Sequence, residues 1–199
     1  KFNAVGDVVW AKTAGSASID AEAGTAVKVD AAANVYVTGH FAATTTFGTT
    51  DLTSAGGTDI FITKYSASTG DVLWAKSAGG IENENGVGIT VSDAGDVSVA
   101  GAFFGTAVFG STSLTSSGSF DGFIAQYNSD GDILWVKQIA GQSNDLAYSV
   151  AVDATGDSYV SGYFTGSANF GGATADAAGN EDIFVAKYDR ISGNLLWVK

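Results

Sequence analysis

The sequence predicts an all-β protein made of tandem units of about 62 residues, four main strands to a unit, stacked as β-propeller-like blades or, alternatively, as an open β superhelix or solenoid. Three observations carry this. Tryptophan stands at 10, 74, 135 and 197, each time inside one phrase: "GDVVWAK", "GDVLWAK", "GDILWVK" and "GNLLWVK". Between the tryptophans, short apolar runs alternate with polar residues at period two, the pattern of strands with two distinct faces. Glycine, aspartate and asparagine recur at fixed phases between those runs, where tight turns call for positive φ or for a side chain that bonds nearby backbone.

Taken in order, residues 1–12 align Lys1 and Phe2 with Lys64 and Tyr65, and so read as the second hairpin of a preceding blade whose first hairpin is missing. Whole units follow over 13–76, 77–137 and 138–199, in one continuous array. In each, a first hairpin comes from "AVKVDAAANVYVTGHF" (26–41), "GITVSDAGDVSVAGAF" (88–103) or "SVAVDATGDSYVSGYF" (149–164). A short extra hairpin is expected around Phe47 and Leu52, at the "TTFG", "AVFG" and "ANFG" phrases. The second main hairpin runs from "DIFITKY" (59–65), "DGFIAQY" (121–127) or "DIFVAKY" (182–188) through a glycine turn to the tryptophan strand. No apolar stripe of period 3.6 interrupts this, so no helix is expected. Propellers close with roughly 4–8 blades. Three and a half units are therefore expected to continue in a longer chain, to be completed by copies of themselves through the incomplete N-terminal unit, or to form an open superhelix.

Composition narrows the function. With 45% hydrophobic residues and 12% aromatics the chain has material for a core, and its 27 glycines punctuate turns instead of marking a linker. A net charge of −12 repels phosphate backbones and anionic headgroups, so nucleic acid is not an expected partner. No run of about 18–20 apolar residues suggests a membrane span. The absence of cysteine excludes disulfides, thiolate metal sites and cysteine nucleophiles.

At "VDAAANVYVTGHF", followed by "GGTDIFITKYSASTGDVLWAKSAGG", the pattern resembles the SBBP-type β-propeller repeats of large secreted bacterial proteins. The longer form with "LWAK" and "FG" is similar to repeats of type IX-exported surface proteins of Bacteroidota. The resemblance covers essentially the whole chain. It implies a propeller-like secreted or cell-surface protein, commonly a scaffold or adhesion module, and it supplies no catalytic residues. The chain departs from that pattern in having no C-terminal sorting domain and few units for a ring.

Several constellations bear on chemistry. Glu22, Glu84 and Asp145 fall in one column just before the first strand of each unit, and Asp59, Asp121 and Asp182 in another just before the third. In an antiparallel meander both columns belong to one face, together with the long "FAATTTFGTTDLTSAGG" connection. Hard cations want six to eight oxygens, so these six carboxylates are the calcium candidates; the competing reading is that Asp59 and its equivalents cap turns by accepting backbone N–H bonds. The turns "DAGD" and "DATGD" do not have the spacing of an EF-hand loop. His40, the single histidine, has Ala102 and Tyr163 as counterparts, a variable column beside constant glycine and phenylalanine, and His40 and Tyr163 are the candidates for a ligand or partner contact. A multi-histidine metal site is impossible, and a Ser-His-Asp triad would rest on His40 alone. The tryptophans read as packing between adjacent sheets instead of sugar platforms. Lysines 12, 76, 137 and 199, two residues after each tryptophan, read as outer-strand charges or partners of nearby carboxylates.

The expectation from the sequence is a non-enzymatic extracellular or cell-surface repeat scaffold for adhesion, surface display, or filament or stalk assembly. It needs no cofactor apart from the calcium considered above. Its expected partners are itself, a glycan or a surface protein. The alternative is a lectin-like glycan-binding propeller with sites on the acidic loop face.

Overall fold

A computed structural model describes residues 1–16 and 22–199. Its described residues contain seventeen strands and no helix, in antiparallel sheets. No helix among them is long and apolar enough to cross a membrane. The chain enters through a turn in which Phe2 bridges Val8, then β1 (Ala14–Gly15). The strands β2 (Ala23–Val29), β3 (Val35–Phe41), β4 (Thr44–Phe47), β5 (Thr50–Thr53), β6 (Asp59–Tyr65) and β7 (Val72–Gly80) follow. The same order recurs as β8 (Glu84–Val91), β9 (Val97–Phe103), β10 (Thr106–Phe109), β11 (Thr112–Thr115), β12 (Asp121–Tyr127) and β13 (Ile133–Gly141). A third round has β14 (Leu146–Val152), β15 (Ser158–Asn169), β16 (Thr174–Tyr188) and β17 (Leu195–Val198).

Each round is a four-stranded meander, β2-β3-β6-β7 in the first, with registers that repeat from unit to unit: Val37 pairs Val27 and Thr63, as Val99 pairs Ile89 and Ala125. The bridge Phe2–Val8 has the same place in its turn as the pairs Tyr65–Val72, Tyr127–Ile133 and Tyr188–Leu195. The extra hairpin is β4–β5 in the first unit and β10–β11 in the second. In the third it is fused into the ends of β15 and β16, which pair onward through Asn169 and Thr174.

Two features join the units. The tryptophan strand overruns its own sheet and pairs with the extra hairpin of the next unit: β1 with β4, the end of β7 with β10, and the end of β13 with β15. The sheets also pack face to face, β8 across β2 and β3, and β14 across β8 and β9. The cores therefore lie between units. One gathers Tyr36, Ile60, Ile62 and Ala78 against Val97, Val99, Phe109 and Phe123. The next sets Ile124 and Ile139 against Val160, Phe164, Phe170 and Phe184. Strands such as β9 and β12 are buried on both faces, and the arrangement is the propeller-like or open β stack that the repeat predicts.

Candidate functional site at the unit junctions

The sequence-marked residues converge on the seams between units. At each seam the tryptophan of one unit reaches the second-hairpin turn of the next. The indole N–H of Trp10 donates to the carbonyl of Ala67 at 3.2 Å, that of Trp74 to Ser129 at 3.0 Å, and that of Trp135 to Arg190 at 2.9 Å. Under each ring lies a turn glycine at positive φ: Gly70, Gly131 or Gly193. A Cβ there would press into the indole, so the glycine serves both the turn and the close approach. Beside the indole, Lys12 pairs with Asp71 at 2.9 Å and Lys76 with Asp132 at 3.2 Å. In the third unit Asn194 takes the sequence position of those two aspartates, so the lysine–aspartate pair is not repeated there.

The two acidic columns meet at the other end of the strands. Asp59, Glu84, Asp121 and Asp145 are all less than 5% exposed, not spread on an open loop face. The carboxylates of Asp59, which begins β6, and Glu84, which begins β8 of the next unit, converge on Gly79: Asp59 Oδ1 and Glu84 Oε2 each lie 2.7 Å from where a Cβ on Gly79 would stand. Asp121 and Asp145 are their sequence equivalents at the next seam, where Ala140 stands in the place of Gly79. The third-strand aspartates cap the loop before them. Asp59 accepts from the Ala55 N–H at 3.2 Å, Asp121 from Ser117 at 2.9 Å, and Asp182 from Ala178 at 2.9 Å. The first-strand acids bind the preceding or following backbone: Glu22 accepts from the Ser16 N–H at 2.9 Å, Glu84 from Gly80 at 2.7 Å, and Asp145 from Thr165 at 3.0 Å.

Burial dominates the electrostatics here. It pushes the Asp59 carboxyl up to about 6, and Glu84, with the charge of Asp59 added, up to about 7. Asp145 is raised by burial to about 6, and Asp121 is raised for the same reason. Beneath a packed seam these groups can hold a proton or a small ion, but they cannot reach a substrate.

His40 and Tyr163 take part in separate contacts. His40 Nδ1 lies 3.1 Å from the side-chain oxygen of Asn85, an amide of the next unit. The ring of Tyr163 lies 5.8 Å from that of Tyr148, tilted by 44°, and burial raises its hydroxyl pKa.

Two of the openings among the described residues lie against these seams. A cavity of about 320 Å³ on the back of the first unit is lined by Trp10, Glu22, Val37, Phe47, Phe61 and Tyr65. At the next seam the equivalent side chains, Val99, Phe109, Phe123 and Tyr127, are covered by Ile60 and Ile62. A polar groove of about 550 Å³ between the second and third units is lined by Ser117, Gln142, Ser143, Thr165 and Asn169.

The strand-to-hairpin pairing, the turn carbonyls under the indoles and the meeting of the acids were missed by sequence reasoning. The one available signal was the constant phase of glycine four residues before each tryptophan.

Comparison with known proteins fits this picture of a repeat β protein. No family model matches the chain. It is 31% identical over 111 residues to the Regulatory protein FlaEY of Caulobacter vibrioides, a match covering 54% of this chain and 12% of that protein. It is 28% identical over 115 residues to the Uncharacterized WD repeat-containing protein L264 of Acanthamoeba polyphaga mimivirus, covering 49% and 8%. The chain thus spans about a tenth of the length of the curated relatives it matches.

Proposed function

We propose that this chain is a stretch of a non-enzymatic repeat scaffold of the SBBP type, displayed outside the cell, whose units add head to tail to build an adhesive or stalk-like surface. One observation carries the reading: residues buried at every internal seam are bare at the two ends. Ile183 is 86% exposed, while its equivalent Ile60 is fully buried; Val185 is likewise exposed where Ile62 and Ile124 are buried. At the other end Val27 is 64% exposed, against 7% for Ile89. The terminal ridge of Ile183 and Val185 has the chemistry of the Ile60 and Ile62 ridge, and the cavity behind the first unit has the lining that such a ridge covers. The occupant that fits both ends is another unit of the same kind. The extracellular placement rests on the resemblance of the repeat.

The test is the mass of the chain in solution, by size exclusion with light scattering over a range of concentrations. Mass growing with concentration, and falling to that of a single chain in Ile183→Lys/Val185→Lys, is the expected result. A single-chain mass at every concentration would overturn head-to-tail addition. For placement, antibodies raised against the chain should label intact cells of the organism that makes it, and labelling only after permeabilisation would contradict surface display. The lectin-like reading attaches to the polar groove between the second and third units, whose hydroxyls and amides suit a sugar. Saturable binding on a glycan array, lost in Gln142→Ala/Thr165→Ala, would favour it.

A further inference from the structure

We propose that the groove between the second and third units is a binding site for an uncharged oligosaccharide, with Phe120 as its stacking platform. This site rests on the lectin-like reading of that groove and narrows it: it is single, it is made where the repeat breaks its own pattern, and it selects neutral sugars. It does not depend on how the ends are filled.

The two internal junctions share one frame. In each, a loop of one unit is tied to the link that enters the next: the Glu84 N–H donates to the Thr58 carbonyl at 2.7 Å, and the Asp145 N–H to the Phe120 carbonyl at 2.8 Å. The side chains on that frame differ. Ile81, Glu82, Phe104 and Val108 of the first junction are replaced by Gln142, Ser143, Thr165 and Asn169 at the second. The first set closes the space and the second opens it. Glu82 Cγ lies 2.9 Å from where a Cβ on Gly105 would stand, whereas at Gly166, the counterpart of Gly105, nothing lies within 4 Å of that point. The groove left there measures about 550 Å³, inside the range of about 300–1,000 Å³ usual for small-molecule sites.

Its lining defines the ligand. None of the lining residues is charged, in a chain whose net charge of −12 repels anions at long range. Among the described residues, the Gln142 amide and the hydroxyls of Ser117, Ser143, Ser167 and Thr174 bond to no other side chain or backbone group. Free donors and acceptors thus stand side by side, as sugar hydroxyls, which both donate and accept, require. Beside them the rings of Phe104 and Phe120 lie 5.6 Å apart and half-buried. Their counterparts are Ala42 and Thr58 in the first unit and Thr165 and Glu181 in the third, so the fold of a unit does not call for this pair. The Phe120 N–H donates to the Asn144 side chain at 3.3 Å, and a Cβ on Gly118 would stand 2.2 Å from the Gln142 carbonyl oxygen, which fixes the Phe120 loop against the groove wall. An aromatic ring covers the C–H face of a pyranose while the amide and hydroxyls take its edge.

The full chain is applied to an array of neutral, sialylated and uronate-containing oligosaccharides, and the strongest binder is then titrated by calorimetry. Binding to neutral glycans alone, one per chain, is expected. Ser143→Glu/Thr165→Phe, which installs the residues of the first junction, should abolish it, and Phe120→Ala should weaken it about tenfold. Silence across the array from the folded chain would overturn both this site and the lectin-like reading. Binding confined to acidic glycans, or binding unchanged in folded Ser143→Glu/Thr165→Phe, would overturn this site alone and move glycan recognition elsewhere on the chain. Should that double variant fail to fold, Phe120→Ala decides, and an unchanged affinity overturns the proposal.

Discussion

Ala43, Gly105 and Gly166 hold the same place, at the entry to the extra hairpin, with φ of 54°, 70° and 70°. An L side chain in that region costs about 1–2 kcal/mol. The first unit bears that cost at Ala43, and the third avoids it with a glycine whose surroundings leave open space for a Cβ. Ala43→Gly should therefore stabilise the chain by about 1 kcal/mol, and Gly166→Ala should destabilise it by a similar amount. Chemical denaturation of both variants checks the pair; equal effects of one sign would show that neighbouring contacts outweigh the backbone.

Among the elements, the first strand of each unit and the third strand of the unit before it are coupled through protons. The unfolded chain ionises its carboxyls near pH 4, whereas the folded chain without a metal holds protons up to about 6 on Asp59 and Asp145 and about 7 on Glu84. Between those values the folded state binds more protons, so stability falls as pH rises from about 4 to about 7 and then levels. In chelator, Tm at pH 5 should exceed Tm at pH 8, and Asp59→Asn/Glu84→Gln should flatten the slope. These strands and turns were legible in the sequence because each unit repeats the period-two pattern of the last, and the capping of Asp59, Asp121 and Asp182 followed from local spacing. What was not legible lies across the seams. "GG" at 79–80 reads as a turn, yet β7 runs through it to meet β10, because the missing side chains let two strands and two carboxylates crowd together. Asp59 and Glu84 belong to different units, and no local pattern says that one unit's third strand faces the next unit's first.

For the whole molecule, the consequence of interstitial cores is that no unit owns the apolar surface it needs. An excised 77–137 segment would lose Ile60 and Ile62 on one side and Val160 and Phe184 on the other. It should lack the β spectrum and cooperative melting of the full chain, as expected where stability resides in interfaces between neighbours. Circular dichroism of the two proteins compares them directly, and a cooperatively folded segment would contradict this. The shared strands add a mechanical property. β7 and β13 each begin in one sheet and end in the next, so a load applied along the chain enters every unit through backbone that its neighbour also grips. The array behaves as overlapped planks instead of beads on a thread: tension is spread over two units at every joint, and extension proceeds only by tearing a joint, not by emptying one bead at a time.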